Sequence, residues 1–257
     1  SGVNDGAGFL NNQDHYKISN QNSGKVLDVK EDGKVVQKTY DRDKASQQWS
    51  IQKVTDGHSS KEEYKIKDTN SGKVIGVENG AAVVQTDQDT ASQKWMVSTS
   101  GNQQYTFINT ANGQLLEVGG ESTKEDAGVD VWSANAGKNQ TWIINKAGIV
   151  DIEQANVVVT KKKIAPEMPQ EVTTIYGDGE KVQKAVQWDP IDPEQYDREN
   201  TFTVRGTVEG TNIPALANVT VSKVESVEPI KVKTVPGKAP VLPDFVPAKL
   251  DNGSEGN

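Results

Sequence analysis

Three tripeptides constrain this chain more than anything else in it: Gln47-Gln48-Trp49, Gln93-Lys94-Trp95 and Gln140-Thr141-Trp142. Each reads Gln-x-Trp and each follows a small or polar residue (Ser46, Ser92, Asn139). The Trp residues fall 46 and 47 positions apart. A period of that size marks a repeat architecture, in which one supersecondary unit recurs and the copies share a core.

Other positions repeat around the triplets. Tyr16-Lys17-Ile18, Tyr64-Lys65-Ile66 and Tyr105-Thr106-Phe107 open the units with the apolar–polar alternation of half-buried strands. Turns follow at Asn22-Ser23-Gly24-Lys25, Asn70-Ser71-Gly72-Lys73 and Asn112-Gly113-Gln114, where Asn and Gly tolerate positive φ. Second strands are expected at Val26-Leu27-Asp28-Val29, Val74-Ile75-Gly76-Val77 and Leu115-Leu116-Glu117-Val118. Third strands are expected at Val35-Val36-Gln37, Val83-Val84-Gln85 and Val129-Asp130-Val131, and each triplet opens a fourth. No unit holds enough apolar residues for a core of its own. Three of them about a pseudo-threefold axis can pool Trp, Tyr, Leu, Ile and Val into one.

Composition excludes several functions. The net charge of −8 argues against a nucleic-acid backbone as partner, because that contact needs clustered Lys and Arg. The basic run Lys161-Lys162-Lys163 reads as a solvated loop or edge. No apolar stretch is long enough to span a bilayer, so no membrane insertion is expected. The chain has no Cys, which removes disulfides, a thiol nucleophile and thiolate metal sites. His15 and His58 lack metal-ligand spacing, and no metal or cofactor is expected. Residues 1–12 read as a linker or remnant. With no initiator Met, the chain is expected to be part of something longer.

These repeats resemble the ricin-type β-trefoil lectins, which are also classed as carbohydrate-binding modules, over residues 13–147. The resemblance implies that the triplet is mostly structural: its Trp fills the core and its Gln braces a sugar site. It also implies that sugar contacts come from an acid on the second strand, an aromatic after the third, and a polar residue just before Gln-x-Trp. The chemistry is sensible. A carboxylate accepts strong hydrogen bonds from hydroxyls, an aromatic ring covers a sugar's C–H face, and an amide both donates and accepts.

Carried over by position, the third unit is the most complete. Glu117 takes the acidic place, Trp132 stands ten residues before Trp142, Asn139 precedes Gln140, and Asp130 lies two before the Trp. In the first unit Asp28 fits, although Asp can equally cap a turn. Gln37 and Ser46 complete that set, and Tyr40 is the expected stacking ring, one residue out of register. In the second unit Gly76 replaces the acid and Gln85-Thr86-Asp87-Gln88-Asp89 has no aromatic, so that site is expected to be dead.

From about residue 148 the pattern changes. Alternating strands around Val182, Val186, Trp188, Phe202, Val204, Val219 and Val221 are separated by turns such as Gly177-Asp178-Gly179 and Asp189-Pro190-Ile191-Asp192-Pro193. They predict a β-sandwich with Trp188 in its core. Residues 148–228 resemble the bacterial Ig-like domains carried by secreted and surface-attached glycosidases. Ala165-Pro166-x-x-Pro169-x-x-Val172 returns 74 positions later as Ala239-Pro240-x-x-Pro243-x-x-Val246, and Asp178-Gly179 returns as Asn252-Gly253. Residues 229–257 are therefore expected to begin a second, truncated repeat.

The expected protein is all-β: a β-trefoil, an Ig-like sandwich and the start of another. Its expected function is non-catalytic binding of galactose-, N-acetylgalactosamine- or pentose-type glycans. In that reading the module serves a covalently linked catalytic domain, outside a bacterial cell or attached to its surface. The chain shows no Ser-His-Asp set, no Gly-rich phosphate loop and no motif for a hydrolytic carboxylate pair. The competing reading is a structural or adhesion stalk with vestigial lectin sites.

Overall fold

A computed structural model describes residues 9–54, 62–222, 248–249 and 255–256. The expectations for His58 and for most of 1–12 and 229–257 lie outside the described residues. The chain divides into two compact units, 1–148 with 176–180, and 149–175 with 181–257.

Twelve strands build the first unit: β1 (His15–Asn20), β2 (Val26–Val29), β3 (Val35–Lys38), β4 (Trp49–Lys53), β5 (Tyr64–Asp68), β6 (Val74–Glu78), β7 (Ala81–Gln85), β8 (Trp95–Gly101), β9 (Gln104–Asn109), β10 (Leu115–Val118), β11 (Val129–Trp132) and β12 (Trp142–Lys146). Strands β1, β4, β5, β8, β9 and β12 pair in that cyclic order and close into a barrel, β12 returning to β1. The hairpins β2–β3, β6–β7 and β10–β11 form the second layer. They touch one another at Lys34–Val83, Asp130–Ala81 and Val36–Gly128. This is the β-trefoil.

The repeated residues do repeated work. Trp49, Trp95 and Trp142 are each 0 % exposed, and their indole N–H groups donate to the carbonyls of Leu27, Ile75 and Leu116 at 3.1, 3.1 and 2.9 Å. A buried ring N–H needs such a partner, so each Trp locks a barrel strand to its own hairpin. Tyr16, Ile18, Ile66, Phe107 and Ile144 from the three units join them in one core. The turns after β1, β5 and β9 need a residue with no Cβ: Gly24, Gly72 and Gly113 have φ of 73°, 76° and 71°. Each donates its N–H to a carbonyl four residues back, at 2.8 Å.

The second unit is a two-sheet sandwich. One sheet is β13 (Ile149–Ile152), β15 (Glu171–Tyr176) and β16 (Lys181–Ala185). The other is β14 (Ala155–Val159), β19 (Ala215–Val221), β18 (Asn200–Thr207) and β17 (Gln187–Trp188) in that order, with β14 parallel to β19. Trp188 is half-buried, packs on both apolar clusters of the sandwich and donates to Pro169 O at 2.8 Å. Gly206 lies opposite it, where a Cβ would come within 2.7 Å of the indole. Later in the chain, Ala248 pairs with Gly256 and Lys249 with Glu255. Shifted back by 74 positions, these are the pairs Thr174–Val182 and Ile175–Lys181 of β15 and β16.

Candidate functional site

The three units place an equivalent clamp at equivalent places and fill it differently. In each, the triplet Gln accepts a loop N–H through Oε1: Asp41 to Gln47 at 2.9 Å, Gln88 to Gln93 at 2.9 Å, Asn135 to Gln140 at 3.0 Å. In each, its Nε2 donates at 3.0 Å to a side-chain oxygen of the hairpin. The acceptors are Asp28 Oδ2, Gln85 Oε1 and Glu117 Oε1. The Gln therefore orients the acid where an acid exists.

In the third unit the acid, 5 % exposed, borders a pocket. Glu117, Gly120, Glu121, Asp130, Trp132, Asn135 and Asn139 line a pocket of about 400 Å³. Hairpin register explains why these side chains converge. Glu117 lies directly opposite Asp130 and Leu115 opposite Trp132, and alternate residues of a strand share a face. Trp132 is 60 % exposed, a large apolar ring standing in solvent. Asn139 is 3 % exposed; its Nδ2 donates to Val118 O at 3.0 Å and its Oδ1 has no partner. Asp130 Oδ1 is likewise buried without one. Gly119 makes room for this carboxylate, since a Cβ there would stand 2.7 Å from Asp130 Oδ2. Burial, then a hydrogen bond to Glu117 and its charge, raise the Asp130 carboxyl to about 7.

Sequence reasoning did not single out Gly119, Gly120, Glu121 or Asn135. The wall they belong to is an insertion: residues 119–128 join β10 to β11, against 30–34 and 79–80 in the other units. Its consecutive Gly residues were the available signal. The first unit ties this wall down. Asn22 Nδ2 donates to Glu121 O, Lys25 Nζ to Thr123 O, and Gln37 Nε2 to Ser122 O and Lys124 O.

The first unit does not assemble the open set expected of it. Asp28 is 0 % exposed and accepts from Lys44 Nζ at 2.7 Å, Gln47 Nε2 at 3.0 Å and its neighbour's N–H, Val29, at 2.7 Å. Burial acts to raise its carboxyl. The hydrogen bonds of Lys44, Ser46, Gln47 and Val29 outweigh it and hold the group below its ordinary value. Gln37 is also 0 % exposed. It sits opposite Leu27 on the core side of the hairpin, while Val36 lies opposite Asp28. The residue in register with Trp132 is Lys38, opposite Val26, and it pairs with Asp126 at 2.9 Å. Counting back from the triplet misplaces this site because the loop between β3 and Trp49 is one residue longer than its counterparts. Tyr40 is half-buried, with Lys17 Nζ 4.2 Å and the Arg42 guanidinium 5.3 Å from its ring centre, so cations already stand at its ring. Ser46 lines a separate pocket of about 420 Å³ together with Asp68 and Asn70.

In the second unit Gln85 reaches into the place of the missing acid. A Cβ on Gly76 would meet Gln85 Oε1 at 2.1 Å, so glycine there and the inward glutamine go together. The Gln93 clamp closes on an amide instead of a carboxylate.

A threefold β-trefoil with a triplet-braced acid beside an exposed Trp defines a class, the lectin-like trefoils. The family description "Ricin-type beta-trefoil lectin domain-like" matches residues 8–88, 46–102 and 91–158, more than half of the chain, and the chain belongs to this family. "Bacterial Ig-like domain (group 4)" matches residues 152–211. No curated protein matches. Among solved structures, an exo-beta-1,3-galactanase from Clostridium thermocellum is 29 % identical with a TM-score of 0.47, over 53 % of this chain and 31 % of that one. A Macrolepiota procera ricin B-like lectin in complex with lactose is 20 % identical with a TM-score of 0.45, over 53 % and 98 %. A mosquitocidal holotoxin is 18 % identical with a TM-score of 0.50, over 78 % of this chain and 28 % of that one. The ricin-type lectin fold suggests carbohydrate binding. Bacterial Ig-like domains of this group are typically extracellular. Among the described residues no helix is long and apolar enough to cross a membrane.

Proposed function

We propose that residues 13–147 form a non-catalytic carbohydrate-binding module whose working site is the third-unit pocket. The observation that carries this reading is the exposed Trp132 ring beside the braced Glu117 and the partnerless Asn139 Oδ1. The ring takes a sugar's C–H face, while Glu117, Asp130 and Asn139 exchange hydrogen bonds with hydroxyls on the same edge. Galactose-, N-acetylgalactosamine- or pentose-type glycans are the candidates that the lectin resemblance implies. Residues 148–228 act as an Ig-like spacer and 229–257 begin a second one. The whole belongs to an extracellular or surface-attached bacterial protein, in which the module holds a linked catalytic domain near its glycan.

A single shallow site of millimolar affinity corresponds to about −4 kcal/mol, so useful capture comes from repeated glycans or repeated modules. A glycan array read beside Trp132→Ala tests the proposal. Selective binding that the variant loses supports it; a folded protein that binds no glycan refutes it. The stalk reading has its own support, since the first unit closes Asp28 on Lys44 and the second fills its acid position with Gln85. That reading expects the array to stay blank.

A further inference from the structure

The third-unit pocket sets two carboxyl groups face to face, and the other units have no such pair. Opposite Asp28 in the first unit stands Val36, and opposite Gly76 in the second stands Val83. Opposite Glu117 stands Asp130. Like charges directly across a hairpin repel, and burial makes the repulsion worse. A cation would relieve it in the way Lys44 serves Asp28, but among the described residues no Lys or Arg pairs with Glu117 or Asp130. Gln140 donates to one oxygen of Glu117, and Asp130 Oδ1 is buried without a donor. A single proton solves both difficulties. It removes one charge and turns one surplus acceptor into a donor between the two groups.

We propose that Glu117 and Asp130 share one proton and that the pocket takes its glycan in this singly protonated form, so that capture weakens as the pH rises above neutrality. The inference rests on the carbohydrate reading of the pocket. The raised Asp130 carboxyl, about 7, agrees with it; burial is the first cause and Glu117 supplies the rest. Among the described residues, the charged groups on the elements packed against the pair are exposed or already paired. Strand β7, paired with β11 at Ala81, carries no titratable side chain, and β9, beside β10, brings only Tyr105, which is buried in the core. Strand β3 brings Lys38, which is paired with Asp126. The turn after β10 brings Glu121, and the turn before Gln140 brings Lys138; both are exposed. Among the described residues, Glu117 and Asp130 belong to no group of three or more His, Asp or Glu that could hold a metal.

Glycan binding sharpens the effect. A sugar seated on Trp132 displaces water from the pocket, and a second negative charge there becomes harder to hold. The bound state therefore keeps its proton to a higher pH than the free state. Linkage then requires the affinity to be flat at low pH and to fall by up to about tenfold per pH unit above the free-state midpoint. It levels off once the bound state also ionises.

Two measurements on the full chain test this. The first follows the side-chain carboxyl carbons of Asp130 and Glu117 by NMR between pH 4 and 9, without and with lactose. The expected result is one late ionisation near neutrality that lactose moves upward. Both carboxyls fully ionised by pH 5.5 would overturn the proposal. The second measures lactose affinity at pH 6 and 8.5 in the parent and in Asp130→Asn, whose amide keeps one donor and one acceptor at every pH. The parent is expected to weaken by about tenfold or more and the variant to change little, with a thermal melt checking that the variant is folded. Equal parental affinity at both pH values refutes the link between proton and glycan. Recovery of parental affinity at pH 8.5 on adding calcium also refutes the proposal, in favour of a bridging cation. A normal late ionisation with no lactose binding at any pH counts against the carbohydrate reading and the link, and leaves the shared proton standing.

Discussion

The first and third units carry the same parts and use them oppositely. Both have an acid on the first strand of the hairpin, β2 or β10, braced at 3.0 Å by the triplet Gln. In the first, Lys44 reaches back and closes an ion pair on Asp28, which is then 0 % exposed. In the third, the acid faces a pocket and a second carboxyl, and Trp132 stands open beside it. A retained acidic residue is therefore no sign of a live site. What matters is whether the chain itself satisfies the acid's remaining lone pairs. Where it does, the residue has become a structural bond; where it does not, ligand chemistry is left over.

The largest test of this contrast uses two Trp residues of the same unit. Trp142→Ala removes a fully buried ring and its bond to Leu116, and should cost about 3–5 kcal/mol of stability by chemical denaturation. Trp132→Ala should leave stability within about 0.5 kcal/mol and abolish glycan binding. A Trp132→Ala protein that melts early would make that ring structural too.

Asp28→Ala comes next. It takes away the acceptor of Lys44 and Gln47 and should cost about 1–3 kcal/mol while leaving glycan affinity unchanged. The pH dependence has a definite sign. Asp28 sits below its ordinary value of 3.8 in the folded state. Its contribution is complete above that value and is lost as the pH falls through the lower folded one. The parent and Asp28→Ala should thus converge in stability under strong acid. Loss of glycan binding in Asp28→Ala would sink the assignment of the site to the third unit.

Asp130→Asn should act in the opposite sense. Asp130 is raised from 3.8 to about 7, so the folded state holds its proton more tightly than the unfolded chain does. Stability from this group is present below the ordinary value and declines as the pH rises towards 7. The variant should match the parent near pH 4 and exceed it at pH 8 by about 1 kcal/mol, after allowance for solvent screening at a partly exposed pair. Thermal melts at the two pH values decide it.

The smallest effect belongs to the second unit. Gly76→Ala drives a methyl into Gln85 and should cost about 1 kcal/mol, whereas the same change in a Gln85→Ala background should cost less, leaving only the 3.2 Å approach to Gln93 Cγ. Additive effects in that double-mutant cycle would mean that Gln85 does not fill the acid's place.

Much of this molecule was legible in one dimension. The triplets, the Asn/Gly turns and the alternating strands predict the trefoil because each is a local pattern repeated at a fixed interval. Symmetry then obliges the repeated Trp residues to be core. The 74-residue recurrence was equally visible, and the pairing of 248–249 with 255–256 has the register of its earlier copy. Part of the third-unit pocket was legible as well: Glu117 by its place on the second strand, and Asp130, Trp132 and Asn139 by their places before the triplet, whereas Gly120, Glu121 and Asn135 were not.

Counting failed in the first unit, and the reason is geometric. Side chains alternate faces every residue, so one extra residue between β3 and Trp49 moves Lys38 into the place of Trp132 and turns Gln37 inward. Only cross-strand hydrogen bonding sets that register. The same holds for the neighbours of each acid. That Lys44 reaches Asp28, that Gln85 fills the space above Gly76 and that Asp130 faces Glu117 are contacts across the fold between residues 16, 9 and 13 positions apart. The sequence alone determined a threefold barrel and where its acids stand. The tertiary structure decided which acid is left unsatisfied, because a charge's partners are set by distance in space and not by position along the chain.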